Sequence, residues 1–250
     1  MNRTMKKRDL LAAILALLFL WQISAWIVNQ PILPPPFTVL HAFIQELPRD
    51  LPVHFAASLW RVVASTILAI CLAAPAGLAI GQSQRLNAIF SPLIYLLYPI
   101  PKVVFVPILL LVFGIGDLSK ITIIFIILFF QILVLVRDQA ASLHPALIQS
   151  VSSLGAGRRA LFRFVYLPAS LPAILTALRQ SVGTSIAVLY IAELSATQYG
   201  LGYYIYYNGS TLFNYPAMYA GILAMSLLGL SLYFGVDWLE KRMCAWQFVN

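Results

Sequence analysis

The sequence predicts an all-α, polytopic membrane protein with about six transmembrane helices. Apolar residues make up 61% of the 250-residue chain and charged residues only 10%, whereas soluble domains contain roughly 25% charged residues. The apolar residues form long runs, most of them near the length of about 20 residues that crosses a bilayer core as a helix. Because unpaired backbone polar groups are too costly in lipid, each run is expected to be helical.

The first apolar run follows a basic head, "MNRTMKKR", and so resembles a signal peptide in outline. It is longer than a usual signal core, and no convincing small-residue cleavage site follows it. We therefore predict that it is the first transmembrane helix. The proline-rich segment after it contains "FTVLHAFIQEL", whose helical spacing predicts a short surface helix. The predicted spans are approximately residues 10–28, 56–80, 88–113, 119–137, 168–192 and 216–238.

The third span is predicted to be irregular. Its "YPIPKVVFVP" places Pro99, Pro101 and Pro107 within or beside the helix, and each proline removes a backbone donor and favours a kink. A broken helix at membrane depth is tolerated where protein or a water-filled cavity surrounds it. The prolines therefore indicate either an ordinary packing kink or a cavity, and Lys102 beside them favours a cavity.

The distribution of Lys and Arg predicts the orientation. With the N-terminus inside, eleven basic residues lie in cytoplasmic segments, and only Arg49 and Lys120 lie clearly outside. This orientation places both termini in the cytoplasm. The net charge of +8 is explained by this asymmetry and by the membrane surface, and it gives no reason to expect a nucleic acid partner. The eleven are Arg3, Lys6, Lys7, Arg8, Arg85, Arg137, Arg158, Arg159, Arg163, Lys241 and Arg242.

A basic segment, "SLGAGRRALFRFVYLP", lies between spans four and five. Upstream of it, Pro145 suits a first helical turn, with Ser142 or His144 as its cap. Gly155 and Gly157 predict a tight turn, because glycine tolerates unusual backbone angles. A second short helix is expected to follow, to about residue 165, and the proline at 168 then opens span five. From these residues alone, the segment is either a positive-inside loop or a docking element.

This segment resembles the EAA loop of binding-protein-dependent ABC transporter permeases. That motif reads Glu-Ala-Ala, three residues, Gly, nine residues, Ile-x-Leu-Pro. Gly155, Val165, Leu167 and Pro168 occupy the matching positions at the right spacing. The Glu-Ala-Ala positions hold other residues, which removes the family's carboxylate; they are Gln149, Ser150 and Val151.

The resemblance extends over about residues 33 to 246. Several ordered segments are similar to the branch of these permeases that serves nitrate, sulfonates, taurine and bicarbonate. They are "LPPPFTVLHAF", "SLWRVVAS", "YPIPKVVFVPILLLVFGIGDLSK", "ALRQSVGTSIAVLYIAEL", "GLGYYI" and "LEKRMCAW". The resemblance implies a type I ABC importer permease fold, with one transmembrane domain over residues 1–250 and a cytoplasmic coupling loop over 138–167.

The resemblance also implies partners and a location. Such a permease pairs with a second copy, as a homodimer, in a bacterial inner membrane. Two ATP-binding cassette subunits lie below it, and a periplasmic or lipid-anchored binding protein delivers the cargo. The chain has no Gly-x-x-x-x-Gly-Lys-Ser/Thr stretch to cradle nucleotide phosphates. ATP and Mg are therefore expected on the partner, with no cofactor in this chain, which is not expected to be an enzyme.

The coupling surface implied by the family lies around the glycine turn. Gly155 would form the turn, and the preceding helix would pack on the ATPase. For the arginines, contact with anionic lipid or a purely topological role is an equal alternative. Arg179 matches a family arginine and is expected to anchor the loop to the bundle. The coupling candidates are Gln149, Ser150, Val151, Ser153, Leu154, Gly155, Ala156, Arg158, Arg159, Arg163 and Pro168.

Charged and hydroxyl-bearing residues within the spans are candidates for the translocation path, since charge at depth usually faces protein, water or a partner. Lys102 would suit the small anions that this branch usually carries. Alternatively, Lys102 and Glu193 are expected to pair with each other or to bind backbone carbonyl groups. For Glu193, a structural role or a role in a gate is expected. The path candidates are Tyr98, Lys102, Ser181, Thr184, Ser185, Tyr190 and Glu193.

Other interpretations remain open at this point. The cargo could be an uncharged vitamin precursor, which related permeases also carry. From another functional class, the chain could be a stand-alone channel or ion-driven carrier, because it places charges in its spans. A membrane-embedded enzyme is disfavoured, since we identify no catalytic or metal-binding set of residues. The tyrosine-rich "YGLGYYIYYNGSTLFNYP" indicates an aromatic belt at the outer interface or a platform for the binding protein.

Overall fold

The computed structural model describes residues 7–194 and 197–247, and helix is the regular secondary structure throughout these ranges. Within these ranges eleven α-helices follow one another, with short 3₁₀ and π segments between some of them. The α-helices are α1 (Lys7–Val28), α2 (Pro36–Glu46), α3 (Leu51–Gln82), α4 (Gln84–Leu97), α5 (Val106–Phe113), α6 (Asp117–Ala141), α7 (Pro145–Ser152), α8 (Arg158–Leu161), α9 (Leu167–Leu194), α10 (Leu201–Tyr206) and α11 (Tyr215–Met243).

The number of membrane spans agrees with the prediction. Within the described residues, five helices are long and apolar enough to cross a membrane, and a sixth span results if α4 and the following helical stretch are counted together. The second span is longer than predicted, because α3 begins at Leu51 with proline in its first turn, where a missing donor costs little. The predicted surface helix is confirmed as α2.

The predicted irregularity of the third span is confirmed as a sharp break. The axes of α4 (Gln84–Leu97) and of the stretch Lys102–Phe113 differ by 77°. Pro99 and Pro101 lie in the gap, and neither can donate a hydrogen bond to the last turn of α4. A short 3₁₀ segment, Lys102–Phe105, then leads into α5.

The core of the bundle lies between α3 and α6, which approach closely at small residues. A Cβ on Gly77 would lie 2.9 Å from the Leu133 carbonyl oxygen and 3.0 Å from the Val136 Cβ. One turn later, a Cβ on Gly81 would overlap the Arg137 carbonyl oxygen. Small residues allow helix backbones to pack closely in membranes. These two glycines therefore set the distance between the two central spans.

Gly81→Ala is expected to destabilise the folded protein by about 1–3 kcal/mol, the usual range for overpacking, because the added methyl group meets the backbone of α6. Gly183→Ala is the matched control, since a Cβ there has nothing within 4 Å and helical alanine is favoured over glycine by about 0.5–1 kcal/mol. Thermal unfolding of the detergent-purified variants measures the difference. Equal melting temperatures would contradict the proposed close contact.

The segment between α6 and α9 begins as predicted. His144 caps α7, since its Nδ1 accepts a hydrogen bond of 3.3 Å from the Ala146 N–H. Gly155 forms the turn with a positive φ of 81°, a conformation that favours glycine. Gly157 has no positive φ, so the turn depends on the first glycine rather than on both.

The prediction of a separate second helix before span five is wrong. Helical structure is continuous from Arg159 to Leu194, and a π segment over Phe162–Tyr166 joins α8 to α9. The physical reason is Pro168, which cannot donate the ordinary α-helical hydrogen bond. The chain forms a wider turn instead, in which the Leu167 N–H donates to the Phe162 carbonyl oxygen.

The tyrosine-rich segment folds partly into the core, so neither predicted interpretation describes all of it. Gly202 and Tyr204 of α10 are buried, and the Tyr203 ring stacks on His54 at 5.8 Å between ring centroids. Tyr206 and Tyr207 are exposed. One face of the segment therefore belongs to the packing of α3, α9 and α11, and only the other face is free for an interface.

Candidate functional site

A buried ionic cluster lies where one end of α3 meets the last turn of α9. Glu193 is fully buried, and Arg61 is 4% exposed. The Arg61 Nη1 donates to Glu193 Oε1 at 2.7 Å, and its Nη2 lies 2.7 Å from Asp117 Oδ1 at the start of α6. The Ser58 hydroxyl lies 2.9 and 2.8 Å from the two Glu193 oxygens. The cluster therefore joins three spans through one arginine, two carboxylates and a hydroxyl group.

The same cluster holds the segment that leads into α10. The Gly202 N–H donates to Glu193 Oε2 at 2.8 Å, and Arg61 donates to the Tyr199 carbonyl oxygen at 2.7 Å. The Gly200 N–H donates to His54 Nδ1 at 3.1 Å. Gly200 has a φ of 126°, and a Cβ there would overlap the Glu193 carboxylate. Glycine is therefore required at this position by both backbone angle and space.

Among the described residues, the hydrogen bonds of Glu193 all lie within this buried cluster. The predicted alternative that Lys102 and Glu193 pair with each other is wrong, because Glu193 pairs with Arg61. The other predicted alternative, that Lys102 binds carbonyl groups, agrees with the structure. The Lys102 Nζ donates to the carbonyl oxygens of Leu97, Tyr98 and Ile100 at 3.1, 2.9 and 3.3 Å. Pro101 cannot supply a donor to the end of α4, and the lysine ammonium group takes that place.

Lys102 also lines a cavity of about 310 Å³ between the broken span, α6 and α9. Tyr98, Gln131 and Thr184 contribute polar groups to its wall. The Lys102 Nζ lies 4.7 Å from the centre of the Phe130 ring. The salt bridges found among the described residues do not include Lys102. This cavity, called the Lys102 cavity below, therefore contains a cation without a neighbouring carboxylate.

The structure brings only three of the seven predicted path residues together, namely Tyr98, Lys102 and Thr184. Ser181 and Ser185 lie on another face of α9, where they are 1% exposed and donate to carbonyl oxygens of their own helix. Tyr190 lines a separate cavity between α9 and α11.

Gln131 was not identified from the sequence, because an amide in an apolar run gives no signal until the cavity is known.

The predicted coupling residues form an exposed knob around the Gly155 turn, at the opposite end of α9 from the ionic cluster. The Leu154 side chain is 85% exposed, and Gln149, Ser150, Ser153, Arg159 and Arg163 are also exposed. Val151, Ala156 and Pro168 are half-buried, and the Arg158 side chain lies outside the described part of the chain. An exposed leucine at a turn is available to a partner protein.

The expectation that Arg179 anchors the coupling loop is wrong. The Arg179 Nη1 lies 3.2 Å from Asp237 Oδ1 and 3.1 Å from Glu240 Oε2, both on α11. Thr176, one turn earlier on α9, lies 3.2 Å from Glu240 Oε1. Arg179 therefore joins α9 to the last span.

Comparisons with known proteins agree with this architecture. The model of the family described as "Binding-protein-dependent transport system inner membrane component" matches residues 65–244. The chain is 32% identical over 234 residues to the taurine transport system permease protein TauC of Escherichia coli (strain K12), covering 91% of this chain and 85% of that protein. It is 29% identical over 234 residues to the formylaminopyrimidine transport permease protein ThiX of Halalkalibacterium halodurans, covering 93% of each.

A solved structure shares the fold. The MetNI methionine ABC transporter in an inward-facing conformation superposes with a TM-score of 0.67 at 18% identity, over 77% of this chain and 95% of the matched chain. At that identity the likeness concerns the fold alone. The chain thus shares most of its fold with a known transporter.

Proposed function

The chain belongs to the family of binding-protein-dependent transport system inner membrane components, and from that premise we propose that it carries a small sulfonate-like anion. It is a multi-pass permease subunit of an ABC importer and is not itself an enzyme. Permeases of this class work with ATPase and substrate-binding partners. This membership replaces the alternative of a stand-alone channel or ion-driven carrier.

The assembly that we propose is a homodimer in a bacterial inner membrane, with both termini in the cytoplasm. Two ATPase subunits bind ATP and Mg and receive the coupling loop, residues 138–167. A periplasmic or lipid-anchored binding protein delivers the cargo on the other side. The exposure of Leu154 at the Gly155 turn supports the loop's role, because an apolar side chain in water favours a protein partner.

The observation that carries the cargo proposal is the Lys102 cavity. A charged residue inside a membrane protein is costly and is usually retained for a function. Three carbonyl oxygens solvate the Lys102 ammonium group, but neutral carbonyls leave its net charge in place. An anion that enters the cavity would therefore be attracted to this charge, and by displacing one of the three carbonyl oxygens it would gain a charge-assisted hydrogen bond. The similarity to TauC, a taurine permease by name, supports a sulfonate as that anion.

The test is ATP-driven taurine uptake by proteoliposomes that contain the permease with its ATPase and binding protein. Lys102→Met is expected to lower kcat/KM for taurine roughly tenfold or more, since a hydrogen bond to a charged group contributes about 1.5–3 kcal/mol. Lys241→Met is the matched control, because Lys241 is exposed and pairs with Asp237. Unchanged taurine kinetics in Lys102→Met would overturn the cargo proposal, provided that both variants have the same melting temperature.

An uncharged pyrimidine precursor is the second candidate. It is favoured by the similarity to ThiX and by Tyr98 and Phe130, whose rings flank Lys102 and could stack on a flat heterocycle. Uptake of a neutral formylaminopyrimidine that is insensitive to Lys102→Met would identify this class of cargo instead.

A further inference from the structure

A second cavity lies beside the Lys102 cavity, further along α6. It has a volume of about 570 Å³ and is bounded by α4, by the break in the third span and by α6. Ser91 and Tyr95 of α4 line one wall, and Val134 and Arg137 of α6 line the other. This volume falls within the range of about 300–1,000 Å³ that is typical of small-molecule sites. The second cavity is called the Arg137 cavity below.

The two cavities are consecutive. Tyr98 lines both of them. On α6, the lining residues run from Ile127 and Gln131 in the first cavity to Val134 and Arg137 in the second. These positions recur every three or four residues and therefore share one helix face. Ten residues at about 1.5 Å rise give a route of roughly 15 Å along that face.

A cation lies in the wall of each cavity. Lys102 belongs to the first, and the Arg137 side chain, 20% exposed, belongs to the second. Arg137 uses Nε and Nη2 to donate to a single oxygen, Asp138 Oδ1. A guanidinium group has five N–H donors, so donors remain for a further acceptor. The Asp138 carboxylate is 60% exposed and is not part of the cavity wall.

We propose that the Arg137 cavity is a second anion-binding station on the route to the cytoplasm, and that the Tyr98 side chain separates it from the Lys102 cavity. The ligand is a small organic anion of the sulfonate or carboxylate class. The inference rests on the proposed function, because it follows the same cargo one step further. The first site offers an ammonium group without a carboxylate partner among the described residues, and the second offers the remaining N–H donors of a guanidinium group paired with Asp138. Two such modest sites in series suit transport, because each binds an anion well enough to admit it and weakly enough to release it.

Charge-selective cysteine labelling tests the station without requiring transport. The two native cysteines, at positions 71 and 244, are first replaced by serine in the assembled complex. Ser91→Cys is then introduced in the Arg137 cavity. Inverted membrane vesicles are treated with the anionic sulfonatoethyl or the cationic trimethylammonioethyl methanethiosulfonate, and each rate is divided by that of a free thiol in solution. The anionic reagent is itself an alkyl sulfonate and so resembles the proposed cargo.

Arg137→Gln is expected to lower the ratio of anionic to cationic labelling at Ser91→Cys roughly fivefold, the size expected for a charge several ångströms away in a partly polar setting. Arg137→Lys should restore the ratio. Arg85→Gln is the matched control. Arg85 lies at the predicted cytoplasmic end of α4, as Arg137 does on α6, but Arg85 does not line the cavity. A ratio that falls equally in Arg85→Gln, or that does not fall in Arg137→Gln, would overturn the station.

Tyr98→Ala tests the division between the two cavities. A cysteine in place of Gln131, in the Lys102 cavity, should react several-fold faster with the anionic reagent added from the cytoplasmic side when Tyr98 is alanine. Equal rates with and without Tyr98 would overturn the division. The two proposals can fail separately. If Arg137→Gln changes the labelling ratio but taurine is not taken up, only the cargo proposal is overturned. If taurine is taken up normally but Arg137→Gln leaves the labelling ratio unchanged, only the proposed second station is overturned.

Discussion

Arg61→Ala is expected to destabilise the folded protein by about 3–5 kcal/mol, the range for breaking a buried ion pair from one side. The substitution leaves the Glu193 carboxylate, which has no exposed surface, without a counter-charge. It also removes the hydrogen bond to the Tyr199 carbonyl oxygen, so the segment entering α10 loses part of its anchor. The measurement is the melting temperature of the detergent-purified protein. It is determined by heating samples and quantifying the folded fraction by fluorescence-detected size-exclusion chromatography.

Lys241→Ala is the control for this experiment. Its pair with Asp237 is exposed, with 61% of the lysine side chain accessible, and such pairs contribute only about 0–1 kcal/mol. Replacing both buried partners, as in Arg61→Gln with Glu193→Gln, should recover part of the loss, because no buried charge then remains. If Arg61→Ala and Lys241→Ala melt at the same temperature, the buried cluster does not hold the spans together.

Gly155→Ala is expected to lower ATP-driven uptake roughly 5- to 30-fold while leaving the amount of folded permease unchanged. Nothing lies within 4 Å of a Cβ at this glycine, but its φ is +81°. A left-handed backbone costs an L-residue about 1–2 kcal/mol, and that cost corresponds to a 5- to 30-fold shift in the population of the turn. The effect is therefore on the shape of the knob and not on its packing.

Gly157→Ala is the matched control, since it has equally open surroundings and no positive φ. Gly155→Asn should retain most of the activity, because asparagine tolerates the left-handed conformation better than alanine. Uptake and ATPase activity are measured together in proteoliposomes. Loss of uptake with ATPase activity preserved would indicate uncoupling, and normal uptake in Gly155→Ala would remove the knob from the coupling mechanism.

Most of the fold could be predicted from the sequence, because long apolar runs allow few structures in lipid. The break in the third span followed from the prolines, and the Gly155 turn followed from glycine's backbone freedom. The continuity of α8 with α9 could not be predicted in the same way. A proline at this position predicts the start of a helix, but a π segment accommodates the same missing donor inside a continuous helix.

The candidate site was less predictable, because pairing depends on contacts between residues far apart in the chain. Arg61 and Glu193 are 132 positions apart, and their proximity follows only once α3 and α9 are packed. One signal was available: both charges lie near the predicted outer ends of their spans and have opposite signs. Lys102 beside the prolines was found directly, since a lysine in an apolar run is conspicuous. Gln131 and Arg137 acquired a role only through the cavities.

The continuous helix from Arg159 to Leu194 has a mechanical consequence. At about 1.5 Å per residue, its 36 residues form a lever of roughly 54 Å. The ion pair of Glu193 joins its C-terminal end to α3, and the ion pair of Arg179 joins its middle to α11. Before Thr176, the regular α-helical hydrogen bonding is interrupted at two places, the π segment Phe162–Tyr166 and Pro172. If the knob moves during transport as proposed, α9 would therefore bend at these two places, or the helices joined by Glu193 and Arg179 would rotate together.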